Sequence, residues 1–548
     1  MSFYYAQKPF ELYGKTLIET VDIQIQQGNH VALIGDNGVG KTTLLTAIHN
    51  KYPDDTYLMH QNLAMYGEEH ALDYIMSVDA TLLTLKRKMT QDLDALGEFI
   101  DLSGYEFEQD ILTKAKLFQL SASDLDKKVK ELSGGQQTKI AIIRALMSNK
   151  PCLLLDEPTN HLDSHMVTLL ANMINESKQT ILLVSHLRSF INLVASQIIE
   201  ITSQKTTMYE GNYENYEQIK AIEQQSQVKA FEKAQKEIND LKSSMDQVQR
   251  WHASAKAKAS VRNPYEQKKL SKLMKRAKAK ETQLTHKINE QDIVNPNQHD
   301  VTQYQFQETD TFQNKYLLQF DQMGYDINNT CLYHQVNLNI RKGENILVTG
   351  NNGSGKSVLV DIITGKRAPT TGTVKHSPSL KIACFDQKHD NLADNLADNL
   401  SPKDLVMKLE GMTNSHAQTI LSAFQFTTDQ ILQPIKHLSM GEKSRLQFVL
   451  LYFASPHLLI LDEPTNYFDI RTQKLIMSMI ESFNGQVFIV SHDAAIISEF
   501  QATHWHIENK TIVNKDLEVK EDFNIEATKN LLEDYKDIDA FGNFQTDN

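Results

Sequence analysis

The chain has 548 residues, of which 41% are hydrophobic and 23% charged, and its formal net charge is −13. This composition is sufficient for packed cores and excludes a wholly disordered chain. No apolar run approaches the ~18 residues that a membrane-spanning helix needs, and the N-terminal residues lack the basic and then apolar order of a secretory signal. The cysteines are far apart and show no CxxC spacing, which argues against a zinc, iron–sulfur or disulfide framework. We therefore expect a cytoplasmic protein with reduced thiols.

The first motif along the chain is a glycine-rich loop, GDNGVGKTT, which fits the P-loop pattern G-x-x-x-x-G-K-[ST]. A strand-like run, VALIG, precedes it, and a helix-like run, TTLLTAIH, follows it. Backbone N–H groups of such a loop surround a phosphate, and the helix N-terminus adds favourable partial charge. We expect Lys41 to reach the β- and γ-phosphates of a nucleotide and Thr42 to bind Mg²⁺. The predicted phosphate-binding residues are Gly35, Asp36, Asn37, Gly38, Val39, Gly40, Lys41 and Thr42.

An insertion near residues 70–115 follows this loop. Its sequence ALDYIMSVDATLLTLKRKMTQDLDALGEF predicts two short amphipathic helices. We interpret the insertion as an arm that contacts another molecule, and a neutral surface decoration is the alternative.

Two carboxylates, Asp156 and Glu157, follow the next buried strand in LLLDEP. Asp156 suits a hydrated Mg²⁺, and Glu157 suits a general base that polarises an attacking water. His186 ends another strand-like run, LLVSHL, where a histidine can contact a γ-phosphate. A purely structural role is the alternative for each of these side chains.

Residues 217–300 are poor in glycine and proline and predict two long helices. Asn263 and Pro264 resemble an N-cap followed by proline at the first helical position, so the second helix is expected to start there. The two helices would form an antiparallel hairpin with a tip near residues 251–263 and arms on the order of 45 Å long.

Positive charge is concentrated in this hairpin. Residues 221–290 contain 16 Lys and Arg against 8 Asp and Glu, a net of +8 in a chain of net −13. A basic projection on an acidic protein indicates contact with nucleic acid, and a solvated helical linker is the alternative. The RNA-contact candidates are Trp251, Lys256, Lys258, Arg262, Lys272, Lys275 and Arg276.

The second half of the chain repeats the chemistry of the first. GNNGSGKSV repeats the P-loop, LILDEP contains Asp462 and Glu463, FIVSHD contains His492, and the segments ELSGGQQTK and HLSMGEKSR form a further pair around Ser133 and Ser439. The last three pairs share an offset of 306 residues, and the P-loops are 315 residues apart. We therefore expect an α/β fold in which one P-loop ATPase domain occurs twice, the two copies being joined by the long helical hairpin. The second phosphate site comprises Gly350, Asn351, Asn352, Gly353, Ser354, Gly355, Lys356 and Ser357.

These motifs make the chain resemble a tandem ATP-binding-cassette (ABC) ATPase. ELSGGQQTK and HLSMGEKSR are similar to the signature motif of that family. The resemblance implies that two cassettes face head to tail, so that the signature of one covers the ATP on the P-loop of the other. It thus pairs the Lys41 site with Ser439 and the Lys356 site with Ser133.

The resemblance implies further site residues. Gln61 and Gln387 are similar to the Q-loop glutamines, and Phe10 and Tyr325 are candidates for stacking on adenine, with Tyr13 as a rival to Phe10. The signature residues expected at ATP are Ser133, Gly135, Ser439 and Gly441, and the expected metal ligands are Thr42, Asp156, Gln61, Ser357, Asp462 and Gln387.

The two copies also differ. Leu187 stands where the second copy has Asp493, and Met440 stands where the first copy has Gly134. These departures predict two unequal ATP sites without indicating which one turns over faster.

Two cassettes on one chain, an arm and a long basic hairpin resemble the ABC-F family, and this resemblance covers nearly the whole chain. The stretch ASVRNPYEQKKLSKLMKRAKAKETQL is most similar to the staphylococcal Sal-type resistance proteins, near the Vga and Lsa types. The resemblance implies an ATPase with ATP and Mg²⁺ as cofactors that binds the E site of the 70S ribosome. Its linker would point toward the peptidyl-transferase centre and protect against lincosamides, pleuromutilins and streptogramin A.

The implied partners are the 23S rRNA near the E site and the P-site tRNA, without a membrane, for a monomer with intramolecular cassette pairing. The alternatives are a housekeeping ABC-F translation factor and, less favoured, the soluble ATPase subunit of a transporter. The expected domains are a first ABC domain at 1–216, the linker at 217–300, a second ABC domain at 301–512 and a tail at 513–548. That tail holds ten acidic residues and four lysines, unlike a basic RNA-binding extension.

Overall fold

The structure is a computed structural model that describes residues 3–12, 14–258, 315–327, 330–385, 399–464 and 468–515, together with seven positions between 268 and 282. The chain divides into two compact units, one of Met1–Tyr213 with Val301–Asn548 and one of Glu214–Asp300. We call the described residues before Tyr213 the first cassette and those from residue 315 onward the second cassette.

The described residues form nineteen strands and seventeen α-helices. The strands are β1 Phe3–Gln7, β2 Phe10–Leu12, β3 Lys15–Ile18, β4 Val21–Ile25, β5 His30–Gly35, β6 Thr56–Met59, β7 Cys152–Asp156, β8 Thr180–Val184, β9 Gln197–Ile201, β10 Thr206–Glu210, β11 Tyr316–Ile327, β12 Thr330–Arg341, β13 Ile346–Gly350, β14 Thr371–His376, β15 Ile382–Phe385, β16 Leu458–Asp462, β17 Gln486–Val490, β18 Thr503–Glu508 and β19 Thr511–Lys515. The helices are α1 Lys41–Lys51, α2 Ala71–Met76, α3 Ala80–Lys88, α4 Leu93–Asp101, α5 Gly104–Leu117, α6 Ala122–Leu125, α7 Gly134–Leu146, α8 Ser164–Glu176, α9 Arg188–Val194, α10 Tyr213–Lys258, α11 Lys356–Ile363, α12 Pro402–Val406, α13 Asn414–Ala423, α14 Thr428–Leu432, α15 Met440–Phe453, α16 Ile470–Glu481 and α17 Ala494–Glu499.

Each cassette is built on one six-stranded sheet. The first has the strand order β6-β7-β8-β5-β9-β10 and the second the order β15-β16-β17-β13-β18-β19, so the same topology occurs twice. Five strands of each sheet are parallel, and the last strand pairs antiparallel at the edge. The strands that carry LLLD and LILD are buried along their whole length, as expected for parallel strands covered on both faces. The α/β fold with a repeated P-loop domain is confirmed.

The arm in the first cassette contains more helices than the sequence suggested. Where two helices were expected between residues 71 and 99, the structure has three, α2, α3 and α4. The cause is local, because Asp79 accepts from the N–H of Leu82 at 3.0 Å and Asp92 accepts from the N–H of Asp94 at 3.0 Å. Each aspartate is thus an N-cap that starts a new helix.

The long helix α10 has 46 residues, which at ~1.5 Å per residue gives a length of about 70 Å. It runs through Lys258, so residues 251–258 are helical and the prediction of a tip beginning near 251 is wrong for those residues. Trp251, Lys256 and Lys258 therefore lie on a helix. Lys272 and Lys275 are exposed. Arg262, Arg276 and most of the predicted second helix lie outside the described residues, as does the tail from residue 516.

No helix in the described part of the chain combines the length and the apolar character needed to cross a membrane.

Candidate active site

Both P-loops connect a central strand to a helix. In the first cassette β5 ends at Gly35 and α1 begins at Lys41, and in the second β13 ends at Gly350 and α11 begins at Lys356. The glycine before each lysine is left-handed, with φ of 103° at Gly40 and 104° at Gly355. At Gly355 a side chain is also excluded by space, because a Cβ atom there would lie 2.8 Å from the Leu332 side chain. At Gly355, glycine is therefore the residue that accepts both the positive φ and the small space without strain.

The two P-loop lysines are buried and held in the same way. Lys41 Nζ donates to the carbonyl oxygens of Gly35 at 2.7 Å and Asp36 at 3.1 Å, and Lys356 Nζ donates to those of Gly350 at 2.8 Å and Asn351 at 3.0 Å. Burial lowers the pKa of both ammonium groups against the opposing effect of nearby carboxylates. Each lysine thus lies at the loop where phosphates were predicted, with its charge poorly solvated.

The paired carboxylates lie at the ends of β7 and β16. Burial raises the pKa of Asp156 to about 6 and that of Glu157 to about 7, and burial raises the pKa of Glu463 to about 8. The N–H of Glu157 donates to Val184 and that of Glu463 to Val490, both at 2.9 Å, which continues the sheet hydrogen bonding by one residue.

Both glutamates adopt a left-handed backbone, with φ of 50° at Glu157 and 48° at Glu463. This conformation is unfavourable for a residue with a side chain and persists only where the surroundings enforce it. Its occurrence at the same place in both cassettes ties the strain to the site. No sequence pattern indicated this backbone conformation.

Each of the two predicted histidines contacts the glutamate of the same cassette. His186 Nε2 is 3.2 Å from Glu157 Oε1, and His492 Nε2 is 3.5 Å from Glu463 Oε1. Burial and the nearby P-loop lysine lower the pKa of His186 to about 3 and that of His492 to about 4. Both imidazoles are therefore neutral at pH 7, and each contact is a polar contact of a neutral ring with a carboxyl group.

The residues predicted for Mg²⁺ fit that ion. The Thr42 hydroxyl hydrogen-bonds to the Asp156 carboxylate, and Asp156 Oδ1 is buried without a hydrogen-bond partner among the described residues. Such oxygen atoms are the ligands that Mg²⁺ prefers. In the described ranges no three His, Cys, Asp or Glu side chains are grouped to hold a metal, so phosphate and water oxygens would have to complete the coordination. Ser357 and Asp462 occupy the corresponding places in the second cassette.

The second P-loop faces the signature of the first cassette. A cavity of about 290 Å³ is lined by Ser133 and Gly135 on one side and by Asn352, Gly353 and Glu463 on the other. Asn352 Nδ2 donates to the carbonyl of His161 in the first cassette at 2.9 Å. The structure thus brings the Lys356 site and Ser133 together, in the arrangement expected for head-to-tail cassettes. Ser133 and Ser439 each cap the helix that follows them, α7 and α15.

The first P-loop faces the second cassette through residues that sequence reasoning missed. The N–H of Asn37 donates to Asp469 Oδ2 at 3.0 Å, and Asp469 also caps α16. Ser164 Oγ donates to the carbonyl of His492 at 3.0 Å, and Gln473 Nε2 donates to that of His186 at 3.2 Å. Asp469 has a counterpart in Asp163 at the common offset of 306, which was the available signal.

The remaining predicted site residues have different outcomes. Gln61 is exposed after β6, and Gln387 and Tyr13 lie outside the described residues. Phe10 is 3% exposed and packs edge-on against Tyr5, so its ring offers no free face to adenine and the structure contradicts that prediction. Tyr325 is partly exposed, and its hydroxyl accepts from Arg367 at 3.3 Å. Gly441 lies in the first turn of α15.

Comparison with known proteins agrees with this geometry. A family model described as ABC transporter matches residues 18–160 and 333–466, and a second model with that description matches residues 199–293. An ABC transporter ATP-binding protein of Schizosaccharomyces pombe is 30% identical, over 93% of this chain and 83% of the relative. The ATP-binding cassette sub-family F member 2 of Mus musculus is 28% identical, over 91% and 79%. The ribosome protection protein VmlR of Bacillus subtilis is 27% identical, over 92% and 86%.

A solved structure of the archaeal ribosome recycling factor aABCE1, in complex with the ribosomal stalk protein aP1, shares the fold. Its TM-score is 0.58 at 15% sequence identity, and the match covers 94% of this chain and 90% of that chain. The repeated sheet, the two P-loops and the matches over both halves lead to one conclusion. The chain belongs to the ABC transporter family, as an ATP-hydrolysing protein with two tandem ABC domains and relatives in sub-family F.

Proposed function

We propose that this ATPase is a cytoplasmic ribosome-protection protein of the ABC-F type. The observation that carries the proposal is the match to a ribosome protection protein along 92% of the chain, which includes the region of the basic linker. The concentration of positive charge in residues 221–290 supports an RNA partner. In this proposal the ATP-bound protein docks at the E site of the 70S ribosome, against 23S rRNA and beside the P-site tRNA. Its linker reaches toward the peptidyl-transferase centre.

The proposed hydrolysis uses the residues at the cassette interface. Lys41 and Lys356 bind phosphate oxygens. Thr42 with Asp156, and Ser357 with Asp462, would hold a Mg²⁺ ion, which when bound would supply positive charge beside the phosphates. Glu157 and Glu463 orient the attacking water and accept its proton as the bond to the leaving ADP oxygen breaks. Their raised pKa values, about 7 and about 8, lie near the working pH, as suits a general base. Neutral His186 and His492 lie beside these carboxylates, and in this proposal they donate a hydrogen bond to the γ-phosphate.

The proposed drug classes are lincosamides, pleuromutilins and streptogramin A, and their support is the resemblance of residues 259–284 to resistance linkers. We infer that the linker tip dislodges a bound drug and that hydrolysis then releases the protein. A housekeeping role in translation is the second candidate. It remains a candidate because the match to ATP-binding cassette sub-family F member 2, at 28% identity, is as strong as the match to the ribosome protection protein, at 27%.

Shortening the segment 252–262 tests the resistance role. We expect drug resistance to collapse while the ATPase rate of the purified protein stays within about twofold, because the segment belongs to the linker unit and not to the cassettes. The measurements are the minimum inhibitory concentration of each drug class in cells and phosphate release in vitro. Unchanged resistance would remove the tip from the mechanism. Loss of growth without drug would favour the housekeeping role.

A second test concerns the charge of the linker. Replacing Lys272, Lys275 and Arg276 by glutamine is expected to lower the salt slope of ribosome binding by about 2–3, since each lost phosphate contact removes roughly 0.7–0.9. The loss of affinity is therefore largest at low salt. Ribosome binding is measured by filtration or sedimentation at several salt concentrations between about 50 and 300 mM. The slope is taken from the plot of log K against log salt concentration, which is linear for such contacts.

The matched control replaces three exposed lysines on α10, in a stretch where positive and negative charges alternate, namely Lys229, Lys233 and Lys236. This control should leave the slope nearly unchanged. An equal effect of the two triple substitutions, or a loss that does not depend on salt, would contradict a specific RNA contact by the linker.

A further inference from the structure

The two P-loops differ in charge at one position. The first contains Asp36 after its opening glycine, and the second has Asn351 at the corresponding place. The backbone carbonyls of both residues accept from the P-loop lysine, so Asp36 lies directly in the loop that surrounds phosphate. A carboxylate there repels a polyphosphate unless a cation offsets its charge.

The offsetting groups come from the second cassette. Arg471 NH1 lies 3.7 Å from Asp36 Oδ2, and Gln425 Nε2 donates to Asp36 Oδ1 at 3.4 Å. Arg445 is only 4% exposed, packs over the Phe426 ring at 5.4 Å and interacts electrostatically with Asp36. Its Nε and NH1 atoms have no hydrogen-bond partner within the described ranges.

Asp36 lies among groups with opposing effects on its charge. Burial and the neighbouring Asp469 raise the pKa of Asp36, whereas Arg471, Lys41 and Arg445 act to lower it. The two arginines of the second cassette thus favour the charged form of this carboxylate.

The second site has no such arrangement. At the offset of 306 residues, Arg471 corresponds to His165, Arg445 to Lys139 and Gln425 to Gln119, and the second P-loop carries the neutral Asn351. Among the residues that the structure describes, one side chain of the second P-loop hydrogen-bonds to the opposite cassette: Asn352 donates to the carbonyl of His161. An acidic loop with two opposing arginines is thus confined to the first site.

We propose that Arg471 and Arg445 are positioning residues that offset the charge of Asp36 across the interface, so that these two side chains of the second cassette strengthen ATP binding at the Lys41 site. The Lys356 site, whose P-loop carries the neutral Asn351, needs no such charge compensation. The two sites then differ in ATP affinity, and the first site binds ATP more tightly when the two cassettes are in contact. This inference concerns nucleotide binding alone and holds whether or not the chain binds ribosomes.

The test measures ATP affinity at one site at a time in the full-length chain. Lys356→Ala removes binding at the second site, and isothermal titration calorimetry with Mg²⁺ and ATP then reports the first. In this background we expect Arg471→Gln to weaken ATP binding about three- to fivefold, a size suited to a half-exposed pair. Adding Asp36→Asn should restore the affinity to within about twofold, because the charge that needed compensation is gone.

The matched control is His165→Gln in a Lys41→Ala background, which should change ATP affinity at the second site by less than about twofold. Arg471→Lys keeps the charge and is expected to retain most of the first-site affinity. Three results would overturn the proposal: an unchanged affinity in Arg471→Gln, an equal loss in Arg471→Lys, or a failure of Asp36→Asn to restore binding. The last would mean that Arg471 touches the nucleotide itself.

Discussion

Replacing Glu157 and Glu463 together by glutamine should lower the ATPase rate at least about 100-fold while ATP remains bound. A general base contributes roughly 10²–10⁴ to a rate, and glutamine keeps the size of the side chain without accepting a proton. The substitutions leave both P-loop lysines in place, so ATP binding should persist. Phosphate release at saturating ATP measures the first effect, and equilibrium dialysis with labelled ATP measures the second.

The same variant tests the ribosomal role. If hydrolysis drives release, the double substitution should sediment with ribosomes in the presence of ATP, whereas the unaltered protein should dissociate. The control is Glu410→Gln, an exposed carboxylate outside the site, which should behave as the unaltered protein. A variant that hydrolyses ATP within a few fold of normal would disprove the base assignment. A variant that binds ATP but stays off ribosomes would refute only the proposed function.

The second large effect is on stability, and its sign follows from the raised pKa values. Folding moves the pKa of Glu157 from the ordinary 4.5 to about 7 and that of Glu463 to about 8. The folded protein then binds more protons than the unfolded chain above pH 4.5, so its stability falls as pH rises to about 8. Glutamine does not titrate. At pH 8 we therefore expect the double substitution to stabilise the nucleotide-free protein, on the order of 1–3 kcal/mol per site.

Urea unfolding at pH 5 and pH 8, without nucleotide or Mg²⁺, measures this difference. The gain should be large at pH 8 and small at pH 5, where both glutamates are mostly protonated. Glu410→Gln again serves as control and should change stability by no more than about 0.5 kcal/mol at either pH. A gain of equal size at both pH values would show that folding does not raise the pKa of these two glutamates.

The site could be predicted from the sequence wherever a motif fixes both residue type and backbone. The P-loops are such a case, because glycine spacing, a preceding strand and a following helix leave one arrangement. The position of Asp156 and Glu157 at a strand end was also predicted correctly, because a buried apolar run followed by two acidic residues is typical of a parallel strand that ends at the edge of a sheet. The common offset of 306 residues then transferred the signature, carboxylate and histidine assignments to the second cassette, and the P-loop pattern itself identified the second P-loop.

The predictions failed where tertiary packing or a single cap decided the outcome. Phe10 has the residue type of an adenine-stacking ring, but strand pairing turns it into the core. The sequence pattern around Asp79 and Asp92 is compatible with a continuous helix, so it did not predict that these residues are N-caps. Their side-chain hydrogen bonds to the backbone show that a new helix starts after each of them. Helix α10 continues past Trp251 because most residues there are Ala and Lys, which favour a helix over a loop. Contacts between cassettes, such as that of Asp36 with Arg471, join residues 435 positions apart and have no local signal.

The hydrogen bonds from Ser164 to the His492 carbonyl and from Gln473 to the His186 carbonyl have a consequence for how the two halves communicate. Each histidine segment takes part of its shape from a helix of the other half. Pulling the halves apart by even a few ångströms would free both segments at once. Hydrolysis at the two ATP sites is therefore coupled. An isolated half would lack the hydrogen bond that holds its own histidine segment.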